Sequence, residues 1–302
     1  MSVLGQFAAI GSDLLSLVWA GVVAGCLYAL GALGLVMIFK CSRVVNFSHG
    51  NLAGLAAFLV YGFSTGLLLN LSWGSAVVLA LVIMVALAAL TYALIAPLVF
   101  QSDLTSTIAT LGVGLIAQGT IQLLFGADIV SLDLPIPRWG FILFGQRITA
   151  YDLTVIAATL VIVVSLFLLI DRTRLGIAFR AVSANPFAAE ICGLSLRAVH
   201  MFAWIVAAVL GVTAALLIVP TTFLSSTTVS SFMLQAFAAA VVGGFSSLPG
   251  AALGGIVIGI LVNLFAFYVS PEFGNTFLLA VILLTLNIYP NGLLEKRTGS
   301  RV

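Results

Sequence analysis

Two histidines, nine carboxylates and three cysteines are the groups in this 302-residue chain with the most chemistry to offer, and their spacing forbids most of it. His49 and His200 belong to no HExxH pair. Cys26, Cys41 and Cys192 are widely spaced with no CxxC pair, so neither a metal site nor a disulfide framework is expected. The acids, from Asp13 to Glu295, all fall at the edges of apolar runs, which leaves no carboxylate inside a span to carry a coupled proton or sodium ion. No Gly-Lys dipeptide occurs, so a phosphate loop of the form GxxxxGK[ST] is absent. No catalytic residue, metal or cofactor is expected, and energy for any work must enter through a partner.

The polar chemistry that remains is hydrogen bonding and docking. In Asn46-Phe47-Ser48-His49-Gly50, Asn46 or Ser48 could cap a helix while Gly50 permits a sharp turn; equally, Asn46, Ser48 and His49 could line a substrate path. Thr107, Thr110 and Gln118 pose the same alternative. Thr107 and Gln118 lie about three helical turns apart, so one helix face could carry polar groups through a bilayer, or each Thr could bond its own backbone.

The longest charged stretch, Asp171 to Ala198, reads DRTRLGIAFRAVSANPFAAEICGLSLRA. Asn185 as N-cap, Pro186 in the first turn and Gly193 past the end predict a short helix from Pro186 to Cys192. Phe187 and Ile191, four apart, share one face of it, and Glu190 lies off that face. That apolar face either packs on the underside of the molecule or inserts into a cleft on a nucleotide-driven partner.

The elements that must position these groups follow from composition. With 63% hydrophobic and 7% charged residues and a mean hydropathy of +1.30, the chain is a membrane protein. Apolar runs near 15–38, 51–69, 73–98, 104–125, 150–170, 199–219, 232–245, 251–269 and 276–290 predict an all-α, polytopic transmembrane bundle of about 8–10 spans in one domain, 1–302. The first run leads to Lys40 and Arg43 rather than to a small-residue cleavage site, so it is expected to stay as a span. With the N-terminus outside, nine Lys/Arg fall on inner segments and only Arg138 and Arg147 outside, which puts 171–198 on the cytoplasmic face. The net charge of +2 gives no reason to expect nucleic acid. Gly21-xxx-Gly25, Gly250-xxx-Gly254 and Gly255-xxx-Gly259 allow close helix contact, within the chain or between subunits. Gly243 to Gly250, GGFSSLPG, must break a helix, either as a tight inner turn or as part of a path.

The docking segment, continuing into HMFAWIVAAVLGVTAALL, resembles the inner permease subunits of ABC importers for branched-chain amino acids. The same family pattern is found in LYALGALGLVMIFKCSRVVNFSHG, STIATLGVGLIAQ, AFAAAVVGGFSSLPGAALGGIVIGI and Tyr289-Pro290-Asn291-Gly292, in order over nearly the whole chain.

That resemblance implies a bacterial inner-membrane, multi-pass permease. It would work with a second permease subunit, two cytoplasmic ATPase subunits that bind the ATP, an extracytoplasmic substrate-binding protein and membrane lipid. Asn185, Pro186, Phe187, Glu190, Ile191 and Gly193 match the family's ATPase-contacting loop, the cytoplasmic coupling helix. Arg174, Gly176 and Arg180 match its basic lead-in, where they could meet acidic groups of the ATPase or lipid phosphate. The chain departs from the family at LIAPLVFQSDLTS, which lacks the usual arginine-rich run, so the substrate could be a branched-chain amino acid, urea, an amide or an aromatic acid. Alternatives from other classes are a stand-alone facilitator or channel for a small neutral solute such as urea, and a membrane-embedded scaffold.

Overall fold

The computed structural model describes residues 3–99, 101–126, 128–143, 146–225, 228–290 and 292–293. Nine long helices dominate it: α1 (Val3–Ser42), α2 (Ser48–Ser64), α3 (Trp73–Val99), α4 (Asp103–Phe125), α5 (Ala150–Arg172), α8 (Leu196–Ile218), α9 (Thr228–Gly243), α10 (Leu248–Tyr268) and α11 (Gly274–Ile288). Two short helices, α6 (Arg174–Ala184) and α7 (Pro186–Ile191), join α5 to α8. Seven helices, α11 with the 3-10 turn before it among them, are long and apolar enough to cross a membrane. The other two, α2 with 17 residues and α9 with 16, reach about 25 and 24 Å at about 1.5 Å per residue, short of a hydrocarbon core of about 30 Å. The buried Leu132 and Leu224, from the connections after α4 and α8, belong to the same apolar cluster as α2 residues such as Leu59 and Phe63. Loops that dip inward thus complete the bundle beside the short helix.

Two of the edge acids, Asp152 and Asp103, sit in the first turns of helices. Thr149 and Asp152 form a capping box at the start of α5: the Thr149 N–H donates to Asp152 Oδ2 at 2.9 Å and the Asp152 N–H to Thr149 Oγ1 at 3.2 Å. Ser102 caps α4, with Asp103 in its first turn where the helix dipole favours a negative charge.

Glycines set the tightest packing. Gly21 and Gly25 of α1 face Gly255 and Gly259 of α10; a Cβ on Gly21 would lie 2.6 Å from Ile260 Cα, and one on Gly25 2.6 Å from Ile256 Cα. Gly250 and Gly254 use another side of α10 to meet Gly243 and Ala239 of α9. All three small-residue repeats therefore serve contacts inside the chain. The GGFSSLPG segment is a tight turn: Gly244 takes φ +97°, and Ser247 Oγ accepts the Gly250 N–H at 3.1 Å to start α10. Near the described end of the chain, Gly292 packs on Gly244, and the Leu293 N–H donates to the Val242 carbonyl at 2.9 Å.

Contacts between helix ends follow the alternation that a nine-helix, charge-oriented topology requires. At the basic end, His200 Nε2 lies 3.1 Å from the Cys41 carbonyl, and the Phe39 and Phe245 rings meet in a tilted contact at 4.9 Å. At the other end Trp19 Nε1 donates to Asp152 at 3.5 Å, Tyr151 Oη to the Leu217 carbonyl at 2.5 Å, and Val130 bridges Leu224. Lys296, Arg297 and Arg301, counted on the inner side from sequence, lie outside the described residues.

Two features differ from the sequence expectation. The α4–α5 connection holds an antiparallel hairpin, β1 (Gly140–Leu143) and β2 (Gln146–Thr149), whose four-residue strands are too short to register beside span-length apolar runs. The lead-in to the short docking helix is itself a helix, α6. Its buried Gly176, Phe179 and Val182 recur every three residues, a helical stripe within a charged segment.

Candidate functional site

The segment between α5 and α8 is a rigid corner that carries an exposed knob. Thr173 Oγ1 accepts the Gly176 N–H at 3.1 Å and caps α6. A Cβ on Gly176 would overlap the backbone of Ile170, so only glycine lets the chain fold back this sharply. Gly176 thus makes the corner and is buried. Arg180 pairs across the corner with Asp171 at 3.1 Å, a contact exposed enough to be worth under about 1 kcal/mol. Arg174 is exposed, whereas Phe179 and Val182 sink completely into the core and fix α6.

Asn185 ends α6 and starts α7, its Oδ1 accepting the Ala188 N–H at 3.1 Å, with Pro186 in the first turn. Gly193, at φ +83°, closes α7: its N–H reaches the Glu190 carbonyl at 2.9 Å, and the Leu194 N–H reaches Ala189 at 3.0 Å. Ala189 alone of α7 is buried. Phe187 and Ile191 stand 73% and 71% exposed, so their shared face does not pack on the chain's own underside. Glu190 lies exposed beside them.

The second polar cluster lies inside the bundle, where α1 breaks before α2. Arg43 closes α1 in the left-handed region at φ 58°. Asn46 Oδ1 then accepts from both the N–H and the hydroxyl of Ser48, at 3.0 and 2.6 Å, so Asn46 rather than Ser48 serves the first turn of α2. Thr110 of α4 clasps the same break: its hydroxyl accepts the Phe47 N–H at 3.0 Å and donates to the Thr107 carbonyl at 2.7 Å, with the Val45 carbonyl at 3.3 Å. One turn on, Asn51 Nδ2 donates to the Gly114 carbonyl at 3.1 Å. Thr110→Val keeps the shape but strands the part-buried Phe47 N–H, at a cost of about 1 kcal/mol. A lowered melting midpoint in detergent checks this, and an unchanged one contradicts it.

His49 is wedged between two helices. A Cβ on Gly34 of α1 would lie 2.6 Å from His49 Nε2, and one on Gly211 of α8 2.9 Å from its Cε1. The imidazole, 4% exposed, borders a small chamber of about 20 Å³ together with Asn46 and Trp204. An amino acid does not fit there. Asn46, Ser48, His49 and Thr110 are thus brought together as a buried knot that holds α1, α2, α4 and α8. Thr107, half-buried, bonds its own helix at the Asp103 carbonyl, 2.8 Å away; Gln118, also half-buried, lies eleven residues further along α4. Sequence reasoning missed Gly34, Asn51, Trp204 and Gly211 as members of this knot. Asn51 alone carried a signal, a polar residue one turn past Phe47.

Residues 17–286 match the family described as branched-chain amino acid transport system / permease component. The chain is 30% identical over 293 residues to a probable branched-chain amino acid transport permease protein LivH of Methanocaldococcus jannaschii, with 88% of each chain covered. It is 27% identical over 298 residues to the high-affinity branched-chain amino acid transport system permease protein LivH of Escherichia coli K12, covering 93% of this chain and 96% of that one. A more distant likeness, 26% over 273 residues, is to the autoinducer 2 import system permease protein LsrC of Yersinia enterocolitica, covering 85% of this chain and 70% of that one. With a family match that runs through its helices from α1 to α11, the chain is a multi-pass membrane protein that belongs to the branched-chain amino acid transport permease family.

Proposed function

We propose that this chain is a membrane subunit of an ABC importer for branched-chain or similar amino acids. It pairs with a second permease subunit, receives substrate from an extracytoplasmic binding protein and is driven by two cytoplasmic ATPase subunits that hold the ATP. One observation carries the reading: Phe187 and Ile191 stand clear of the chain on a capped, well-anchored helix beside basic residues. Exposed apolar side chains on a rigid cytoplasmic helix lose free energy in water and gain it in a cleft. Phe187, Ile191 and Glu190 make the contact, Arg174 borders it, and Asn185, Pro186, Gly193, Gly176 and Arg180 hold α7 in place. The substrate class rests on the family, since relatives named for branched-chain amino acids align over nearly the whole chain.

Identifying the ligand of the cognate binding protein by calorimetry tests the substrate. Leucine, isoleucine or valine binding at micromolar concentration supports it; binding of urea or an aromatic acid alone overturns it. Co-purification of this chain with an ATPase subunit tests the assembly, and a chain that purifies and transports alone is a facilitator instead.

A further inference from the structure

We propose that the chamber between α1, α2, α3 and α8 binds a single ordered water molecule, held by the ring nitrogens of His49 and Trp204. Its wall is largely apolar, with Ile38, Leu52, Met84 and Val212 around it, and three polar side chains border it: Asn46, His49 and Trp204. His49 is 4% exposed and Trp204 1% exposed. Neither His49 Nε2 nor Trp204 Nε1 has a hydrogen-bond partner in the chain. Two buried, unpartnered ring nitrogens on residues that line one cavity, in a protein surrounded by lipid, call for a ligand that bonds both.

The chamber's size and chemistry select that ligand. Its volume is about 20 Å³, where one water needs about 10–15 Å³, so an amino acid is excluded and a single water is accommodated. The indole N–H can only donate, so the ligand must accept, which excludes ammonium. A small anion could accept, but it would place an unpaired charge against an apolar wall. Water accepts a hydrogen bond from the indole N–H and either donates one to the imidazole nitrogen or accepts one from it, whichever tautomer is present. The cavity has a structural cause: Gly34 and Gly211 clamp the imidazole in place, and Ala53, Ala88, Ala207 and Ala208 are too small to fill the space beside it.

The chain's two histidines make a selective test possible. With histidine labelled by nitrogen-15 in the full chain in lipid nanodiscs, a His200→Gln variant leaves His49 as the one labelled ring. Magnetisation transfer from water protons to that ring is expected, and Ala208→Leu, which fills the chamber, is expected to lose it. Absence of transfer in the starting protein overturns the proposal. So does equal transfer in an Ala208→Leu protein that elutes and melts as the starting protein does. If Ala208→Leu does not fold, a cryo-EM map that resolves ordered waters decides: density within hydrogen-bond distance of both His49 Nε2 and Trp204 Nε1 supports the site, and its absence there rejects it.

Discussion

Phe187→Ala is expected to leave the permease folded and inserted while disconnecting it from its energy source. The phenyl ring is 73% exposed in the isolated chain, so its removal takes nothing from the core, and the melting midpoint should not move. Its loss appears only in the assembly. Truncating an aromatic anchor at an interface centre costs about 2 kcal/mol or more, which is about 30-fold in affinity for the ATPase subunits. Uptake should fall accordingly, and ATP hydrolysis should no longer respond to the loaded binding protein. Ile191→Ala should act in the same direction more weakly, since it removes a smaller group from the same face. Ala189 gives the opposite pattern: it is the buried member of α7, so Ala189→Leu should disturb the fold before it disturbs docking. Normal uptake together with normal stimulated hydrolysis in Phe187→Ala would show that α7 is not the contact.

Gly25→Val or Gly259→Val should have the largest effect on stability. Each would drive a branched side chain into the backbone of the facing helix, where no flexible group can give way. Overpacking of a yielding core costs about 1–3 kcal/mol, and a backbone-to-backbone seam sits at or above the upper end. A fall of roughly 6 °C or more in the melting midpoint, or failure to accumulate in the membrane, is the expected outcome. Gly112 and Gly119 of α4 supply the control, since nothing lies within 4 Å of a Cβ built on either. Valine there should leave the melting of the isolated chain nearly unchanged. Equal effects at both pairs of positions would mean that the α1–α10 seam is not what holds the bundle.

Much of the architecture was legible because a bilayer leaves few choices. Every long apolar run became a helix, since backbone groups in lipid must be satisfied within the segment. Asn185, Pro186 and Gly193 were readable as punctuation because each has one strong backbone preference, and the helix they bound is the one found. The glycine repeats signalled close contact, but not which helices would meet. Gly21 and Gly259 are 238 positions apart, and nothing local says that they touch.

The polar knot shows the same limit. Asn46, Ser48 and Thr110 could be singled out as hydrogen-bonding groups, but whether they face a path or clasp a helix break depends on where α4 packs. His49 was visible as an oddity in an apolar chain, while the two glycines that hold its ring come from α1 and α8, one before it and one far after it. The length of α2 was also hidden, whereas the run at 232–245 was visibly short. The apolar run near 51–69 extends beyond α2, and chain geometry decides where the helix stops: Gly66 takes φ +83° just beyond it.

The central claim is that this chain moves solute only with energy received through α7. The direct measurement is uptake of radiolabelled leucine into proteoliposomes that hold this chain alone, or with its second permease subunit, ATPase subunits and binding protein. ATP-dependent accumulation is expected with the full set, and none with the chain alone. Leucine or urea equilibrating through the chain by itself, without ATP or partners, would contradict it.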